Sequence, residues 1–337
     1  MGVIEEFLKR GYLISPNLIH VIEREGSIDQ ILNNLPQNTV VVTEEIYNAI
    51  KNRPKIKLIR QYTRKKSVKK IDDFVEFYND RFKKLQTVLE RRVEGNITTI
   101  NKLSYGTEAS IIGMVRDVEK NGFKLEDFTG SLFCISNEKV LEDEVLAVEG
   151  VVKKDGFLVK KIHYPDIPIT NPVNLTDTDL YIAFTNNPDA LTKNVSCIFT
   201  FTSNKNKIKK LKNVDIITTI EDVEGKNVHV YKEPFLVSVN NIVIYVLNMS
   251  WINTLKKKLN KEDEKDILIT MLRKRHFLPF EYVEGDPYLL DELPDIIVVT
   301  GLSSPLFFNY KGISVISITN DHGFILNLKN REHEEIV

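Results

Sequence analysis

PDIIVVTGLSSPLFFNYKG, residues 294–312, is the stretch on which the reading of this chain turns. Ile296–Val299 is an apolar, β-rich run, a loop opens at Gly301, and Tyr310-Lys311-Gly312 makes a turn before a second apolar run, Ile313–Ile318. Upstream, Leu180–Phe184, Ser196–Phe201, Val214–Thr218, Val228–Tyr231, Phe235–Val239 and Ile242–Leu247 are runs of the same kind. Asp263–Lys274 offers a helix, and Asp321-His322 a polar turn ahead of one more strand, Phe324–Leu328. Residues 172–330 therefore read as strands alternating with helices.

Toward the N-terminus the pattern changes. Glu108–Val118, Phe123–Asp127, Ser131–Ile135 and Asp143–Val152, with a turn at Thr129-Gly130, have the short-strand alternation of an OB barrel over residues 103–168. Before it, Asp72-Asp73 opens a helix on which Phe74, Phe77, Tyr78, Phe82, Leu85 and Leu89 recur at helical spacing. That stripe predicts a core face packed on the barrel rather than a stacking platform for bases. Residues 51–70, KNRPKIKLIRQYTRKKSVKK, hold ten Lys or Arg and no acid, so self-repulsion and Pro54 predict a linker. Residues 1–50 read as a small helical module: Ser15-Pro16 supplies an N-cap and a first-turn proline, Ser27 with Gln30 a capping-box pattern, and another helix starts near Thr43.

At 337 residues and 42% hydrophobic content, the chain is long and apolar enough for two or three globular domains. Cys134 and Cys197 lie in apolar runs without a CxxC partner, which predicts buried reduced thiols rather than a disulfide or zinc site. Apolar runs stay below the roughly 18 residues of a membrane span and MGVIEEFLKR is too acidic for a signal peptide, so a soluble, cytoplasmic protein with no membrane partner is expected. The net charge of −1 leaves any nucleic-acid contact to local patches. Lys256, Lys257, Lys258 and Lys261 form a second basic cluster, but Glu262, Asp263 and Glu264 dilute it and it reads as a solvated helix face.

The strings FLKRGYLISP, IRQYTRKKSVKKIDDFVEFYNDRFKKL, LEDFTGSLFCI, DEVLAVEGVV, YPDIP and MLRKRHFLPF, in this order, resemble the small subunit of archaeal family-D DNA polymerase, a B-subunit of the calcineurin-like phosphoesterase superfamily. In that family a strand ending in Pro-Asp runs into a Gly-His-x-His metal loop, followed by a Tyr-Lys/Arg-Gly turn and another strand. Pro294-Asp295, Gly301 and Tyr310-Lys311-Gly312 match, whereas Leu302 and Ser304 stand in the histidine positions, and neither holds a divalent cation in such a site. By the same resemblance the Asp-x-His positions after the first strand fall on Phe184 and Asn186, and Tyr-His-Gly falls on Tyr245, Val246 and Leu247. A Gly-Asn-His-Asp motif is absent from the sequence. The small B-subunits of eukaryotic replicative polymerases resemble this arrangement too, an OB barrel on a phosphoesterase domain without its metals.

The implied fold is multidomain α+β: a helical N-terminal domain over 1–50, the basic linker 51–70, a helix plus OB fold over 71–170, and a calcineurin-like phosphoesterase α/β sandwich lacking metal ligands over 171–337. The implied function is a catalytically inactive small subunit or scaffold, without cofactor, that docks a DNA polymerase catalytic (large) subunit through its OB and phosphoesterase-like domains in replication or repair. Single-stranded or primer-template DNA is a second expected partner. Arg60, Arg64, Lys65, Lys66, Lys69 and Lys70 in the linker and Arg116, Lys153 and Lys154 on the barrel are the candidate DNA contacts, with Phe123, Phe133 and Phe157 for stacking. Glu108, Glu119, Glu126, Asp127, Glu142, Asp143, Glu144 and Glu149 oppose them in the same domain, which favours protein docking. Two alternatives stand beside this reading. One is an active manganese-dependent 3′–5′ exonuclease using Asp177, Asp179, Asp189, Asp222 and His229; the other is an autonomous DNA-binding regulator working through the basic linker.

Overall fold

The computed structural model describes residues 2–25, 28–35, 39–51, 53–62, 70–211, 214–225 and 227–337. The fold is mixed α+β, with a closed five-stranded barrel and several sheets. At the N-terminus, α1 (Val3–Lys9), β1 (Leu13–Ile14), α2 (Pro16–Glu25), α3 (Ile28–Asn34), β2 (Val41–Val42) and α4 (Glu44–Lys51) enclose a core of Phe7, Leu18, Ile22, Ile31, Val42 and Tyr47, with β1 and β2 paired in parallel. Pro16 opens α2, where its missing N–H would have no helical partner anyway. Ser27, half of the expected capping box, lies outside the described residues.

The stretch expected to act as a linker contains a strand. Ile56–Gln61 forms β3, which pairs antiparallel with β13 (Phe235–Val239) and edges a six-stranded sheet. Lys57, Leu58 and Ile59 are exposed while Ile56 packs on the sheet core, so it is backbone pairing with β13 rather than a buried face that holds this charged segment in the sheet. An edge carrying Lys and Arg also resists pairing with other chains.

The helix α5 (Ile71–Glu90) lays the second half of its stripe on the barrel, where Phe82, Leu85 and Leu89 pack with Ile112, Met114, Val145 and Ala147, whereas Phe74, which is exposed, and Phe77 pack on Tyr282. The barrel strands β4 (Glu108–Glu119), β5 (Gly122–Asp127), β6 (Gly130–Ile135), β7 (Val145–Lys153) and β8 (Gly156–His163) close in the order β4-β5-β6-β8-β7. The closing strand β8, GFLVKKIH, was not among the strands delimited from sequence.

Beyond the barrel come β9 (Tyr181–Phe184), β10 (Cys197–Phe199), α6 (Lys205–Lys210), β11 (Asp215–Thr218), β12 (Val228–Val230), β13, β14 (Ile242–Asn248), α7 (Ile252–Leu259), α8 (Glu264–Lys274), β15 (Ile296–Thr300), β16 (Leu306–Tyr310), β17 (Ile313–Ser317), β18 (Gly323–Asn327) and β19 (His333–Ile336). They form two six-stranded sheets, β12-β11-β10-β9-β18-β19 and β16-β17-β15-β14-β13-β3. An apolar layer from both sheets, including Ile182, Phe184, Phe199, Val237, Val246, Val298 and Phe324, fills the space between them. The helices α7 and α8 cover the second sheet's outer face through Leu255, Ile267, Leu268 and Met271. Cys134 is buried in the barrel core, and burial pushes its thiol up to about 12; Cys197 is buried between the sheets, its thiol also raised by burial. Among the described residues no helix is long and apolar enough to cross a membrane.

Candidate functional site

Backbone geometry sets the frame of residues 294–312. The hairpin from β16 to β17 turns through Lys311 (φ 48°) and Gly312 (φ 86°), the positive φ at both central positions that a twisted two-residue hairpin requires. After β15 the chain enters the left-handed region at Gly301 (φ 83°), where an added Cβ would crowd the Asn248 side chain at 3.2 Å. Asp295 is buried and accepts hydrogen bonds from the Val243 N–H (2.8 Å) and Asn174 Nδ2 (2.9 Å), so it ties β14 and the segment after the barrel to the start of β15.

The positions that the resemblance assigns to metal ligands are dispersed. Phe184 and Val246 are fully buried in the inter-sheet core, with the Phe184 and Phe199 rings 4.9 Å apart. Leu302 instead belongs to the core under α7 and α8, and Ser304 is exposed, its carbonyl accepting from Ser317 Oγ at 3.0 Å. Asn186 bridges loops, accepting from the Phe201 N–H (2.8 Å) and donating to the Thr319 carbonyl (3.3 Å). Phe184 on β9 and Val246 on β14 thus share one core, while Leu302 belongs to the core on the opposite side of the second sheet. Polar side chains finish the nearby strand ends: Asn248 Nδ2 donates to Thr300 Oγ1 (3.0 Å), which donates to Glu233 (3.2 Å), whose carboxyl is raised by burial against the opposing effect of that bond.

The acids of the exonuclease alternative do not converge. Asp179 accepts from Asn327 and lies near Lys329, Asp222 pairs with Lys205, Asp189 lies 3.9 Å from Lys207, and His229 sits 3.5 Å from Asp215. Among the described residues no three His, Cys, Asp or Glu side chains are grouped to hold a metal ion.

The candidate DNA contacts are likewise not gathered into one patch. Arg60 is engaged by Tyr62, Asp291 and Glu292, and Arg116 by Glu126 and Asp143 while lying over the Tyr78 ring. Lys153 and Lys154 are exposed at the β7–β8 turn, at the other end of β7 from Val145, which pairs beside Arg116. Lys70 is the exposed N-cap of α5, and Arg64, Lys65, Lys66 and Lys69 lie outside the described residues. Of the expected stacking residues, Phe123 and Phe157 are fully buried in the barrel core, because inward-facing strand positions of so small a barrel are its only filling. They cannot stack on bases.

The sequence reading missed a set of buried charges where the barrel, α5 and the sandwich meet. Arg81, fully buried, makes a bidentate pair with Asp286 (2.8 and 2.9 Å), donates to the Pro279 carbonyl (2.6 Å) and lies 4.7 Å from the Phe77 ring centre. His276 contacts the same carboxylate at 2.8 Å through Nε2, and its Nδ1 accepts from the Leu278 N–H at 3.0 Å. Accepting at Nδ1 fixes the neutral tautomer. Burial, with Arg81 adding to it, holds His276 down to about 4; Asp286 is pulled below the usual carboxylate range because His276 and Arg81 overcome the effect of its burial. Nearby, Lys274 of α8 pairs with Glu144 ahead of β7, both nearly inaccessible, and Arg275 donates to the Asp166 carbonyl at 2.7 Å. The clue lay in RKRH within an apolar exit segment, since charges in such a setting are buried only with partners.

No family model matches the chain. Sequence comparison finds curated relatives described as DNA polymerase II small subunits: one from Archaeoglobus fulgidus, 29% identical over 54% of this chain and 45% of that protein; one from Methanothermobacter thermautotrophicus, 30% identical over 34% and 27%; and one from Thermoplasma acidophilum, 26% identical over 50% and 38%. The matches thus span less than half the length of each relative. Among solved structures, a novel archaeal phosphodiesterase aligns at 11% identity with a TM-score of 0.29 over 48% of this chain and 99% of its own, and the telomere capping protein Ten1 from Saccharomyces pombe at 20% identity with a TM-score of 0.19 over 21% and 80%. Agreement of the sequence matches with each other identifies this chain as a homologue of the small subunits of archaeal family-D DNA polymerase.

Proposed function

We propose that this chain is a non-catalytic small (B-type) subunit that docks a DNA polymerase catalytic subunit through its barrel and its sandwich. The units we assign are a helical domain over 1–50, a helix with an OB fold over 71–170 and an inactivated phosphoesterase-like domain over 171–337, with part of 51–70 recruited as the sandwich's edge strand. The observation that carries the proposal is the burial of Phe184 and Val246 in the inter-sheet core. A two-metal phosphoesterase needs carboxylates and imidazoles converging on ions about 3.5–4 Å apart, to ionise a water and clamp the phosphate. Aromatic and aliphatic side chains at two of those positions supply none of that. The relatives' description as polymerase small subunits supports an accessory role.

The test has two readouts on one preparation. The chain is stripped with chelator, loaded with manganese, and assayed for bound metal and for cleavage of a single-stranded 3′ end; in parallel, the tagged chain is recovered from its host. We expect no stoichiometric metal, no cleavage and co-purification of a polymerase catalytic subunit. Two bound metals with cleavage would restore the exonuclease reading, and recovery without any replication protein would sink the docking one.

A further inference from the structure

A groove of about 870 Å³ runs between the barrel and the helices α7 and α8. Its barrel wall is the loop after β6 together with β8, and its other wall is the turn after α7 together with α8. Lys139 and Lys161 line the first wall, Lys261 and Arg273 the second, and all four are exposed. None of the four forms an ion pair with a carboxylate among the described residues; Lys261 donates only to Thr270 Oγ1, at 3.1 Å. This contrasts with Arg60 and Arg116, whose charges carboxylates already neutralise. Lys274 also reaches the groove, but Glu144 compensates it, and Glu138 is the acid in the lining.

Like charges brought together by folding repel, and the arrangement is relieved only by an anionic ligand or by salt. Four uncompensated cations on two walls call for several anionic charges on one molecule. Bases stack on free aromatic faces, but the groove's aromatic, Tyr164, is flanked by Lys274 (4.3 Å) and Arg273 (5.3 Å), and the floor beside it is aliphatic. Recognition here falls on a charged backbone rather than on bases.

We propose that this groove binds the phosphodiester backbone of single-stranded nucleic acid without regard to sequence. This goes beyond the docking function and does not depend on it, because the chain is tested alone. The measurement is fluorescence anisotropy of a labelled oligothymidylate of about 20 nucleotides titrated with the full chain across a range of salt. Four phosphate contacts predict a log–log salt slope of about −3, and Lys139→Glu with Lys161→Glu should roughly halve that slope and weaken binding at least tenfold at about 100 mM salt. Both substituted side chains are exposed, so an unchanged thermal melt is expected and separates lost binding from lost folding. Lys55→Glu with Lys57→Glu on the β3 edge should leave affinity within about twofold, a small change in a purely long-range, screened interaction. Absence of binding by the unmodified chain, equal affinity of the groove variant, or loss only in the β3 variant would each overturn the assignment. Displacement of the oligonucleotide by polyglutamate of equal length and at equal concentration would overturn it in favour of an acidic peptide.

Discussion

The inter-sheet core around Phe184 and the junction around Arg81 are equally inaccessible to water and are built from opposite materials. In the first, an aromatic and a branched aliphatic stand where the related family implies metal ligands, and they pack as ordinary core. In the second, Arg81, Asp286, His276, Lys274 and Glu144 are buried together, each with a partner. The buried charges at this junction join the barrel, α5 and the sandwich. Buried ion pairs are a weak source of net stability but are intolerant of losing one member, which makes them suited to fixing how two bodies sit. The apolar core has no such directionality and tolerates shape-preserving change.

The contrast can be broken most forcefully at Arg81. Arg81→Met leaves the Asp286 carboxylate without its bidentate partner, and a loss of about 3–5 kcal/mol in urea unfolding is expected. A loss under about 1 kcal/mol would mean the network is ornamental. Phe184→Ala removes a fully buried ring from the opposite environment, and about 3 kcal/mol is expected from lost transfer energy plus a partly collapsed cavity, with the larger 3–5 range typical of rigid sites. Wild-type stability for that variant, or gain of metal binding, would show that the space around Phe184 is an open site rather than core.

The smallest effect at neutral pH belongs to His276. His276→Gln should cost about 1–2 kcal/mol at pH 7, the range for losing buried hydrogen bonds. Its signature is in acid. An unfolded histidine takes a proton near pH 6.5, whereas the folded one resists until about 4, so the unfolded state binds more protons in that window and stability falls as pH drops through it. The variant should show a flatter thermal-midpoint profile between those pH values than the parent. Parallel profiles would show that His276 is not the source of acid sensitivity in that window; Asp286, whose depressed carboxyl loses its stabilisation as pH falls below the usual carboxylate range, acts at lower pH.

Much of the sandwich and barrel was legible in the chain because strand formation there is local. Phe235–Val239 and Glu108–Val118 are apolar runs bounded by turn residues, and the structure extends or trims such runs by a residue or two. Residues 51–70 misled because their charge suggested a tether; Ile56–Gln61 becomes a strand by pairing with β13, about 180 residues further on. Phe184 and Val246 were readable one by one as apolar strand residues, but that Leu302 faces another core depends on which side of β15 its loop leaves. The charged residues were least legible. Nothing local distinguishes Arg116, neutralised by Asp143 27 positions away, from Lys161, left without an acid.

By itself the sequence determined the order of helical module, barrel and strand–helix alternation, the relation to polymerase small subunits, and the presence of Leu302 and Ser304, rather than histidines, after Gly301. Those follow from side-chain identity and short-range periodicity, which a linear chain carries in full. The tertiary structure alone decided that a basic segment becomes an edge strand, that Arg81 and Lys274 are interior, and that Lys139, Lys161, Lys261 and Arg273 share one groove. Burial and ion pairing are set by residues far apart in the chain, and the sign and strength of a charge's effect depend on the neighbours that folding brings within a few ångströms.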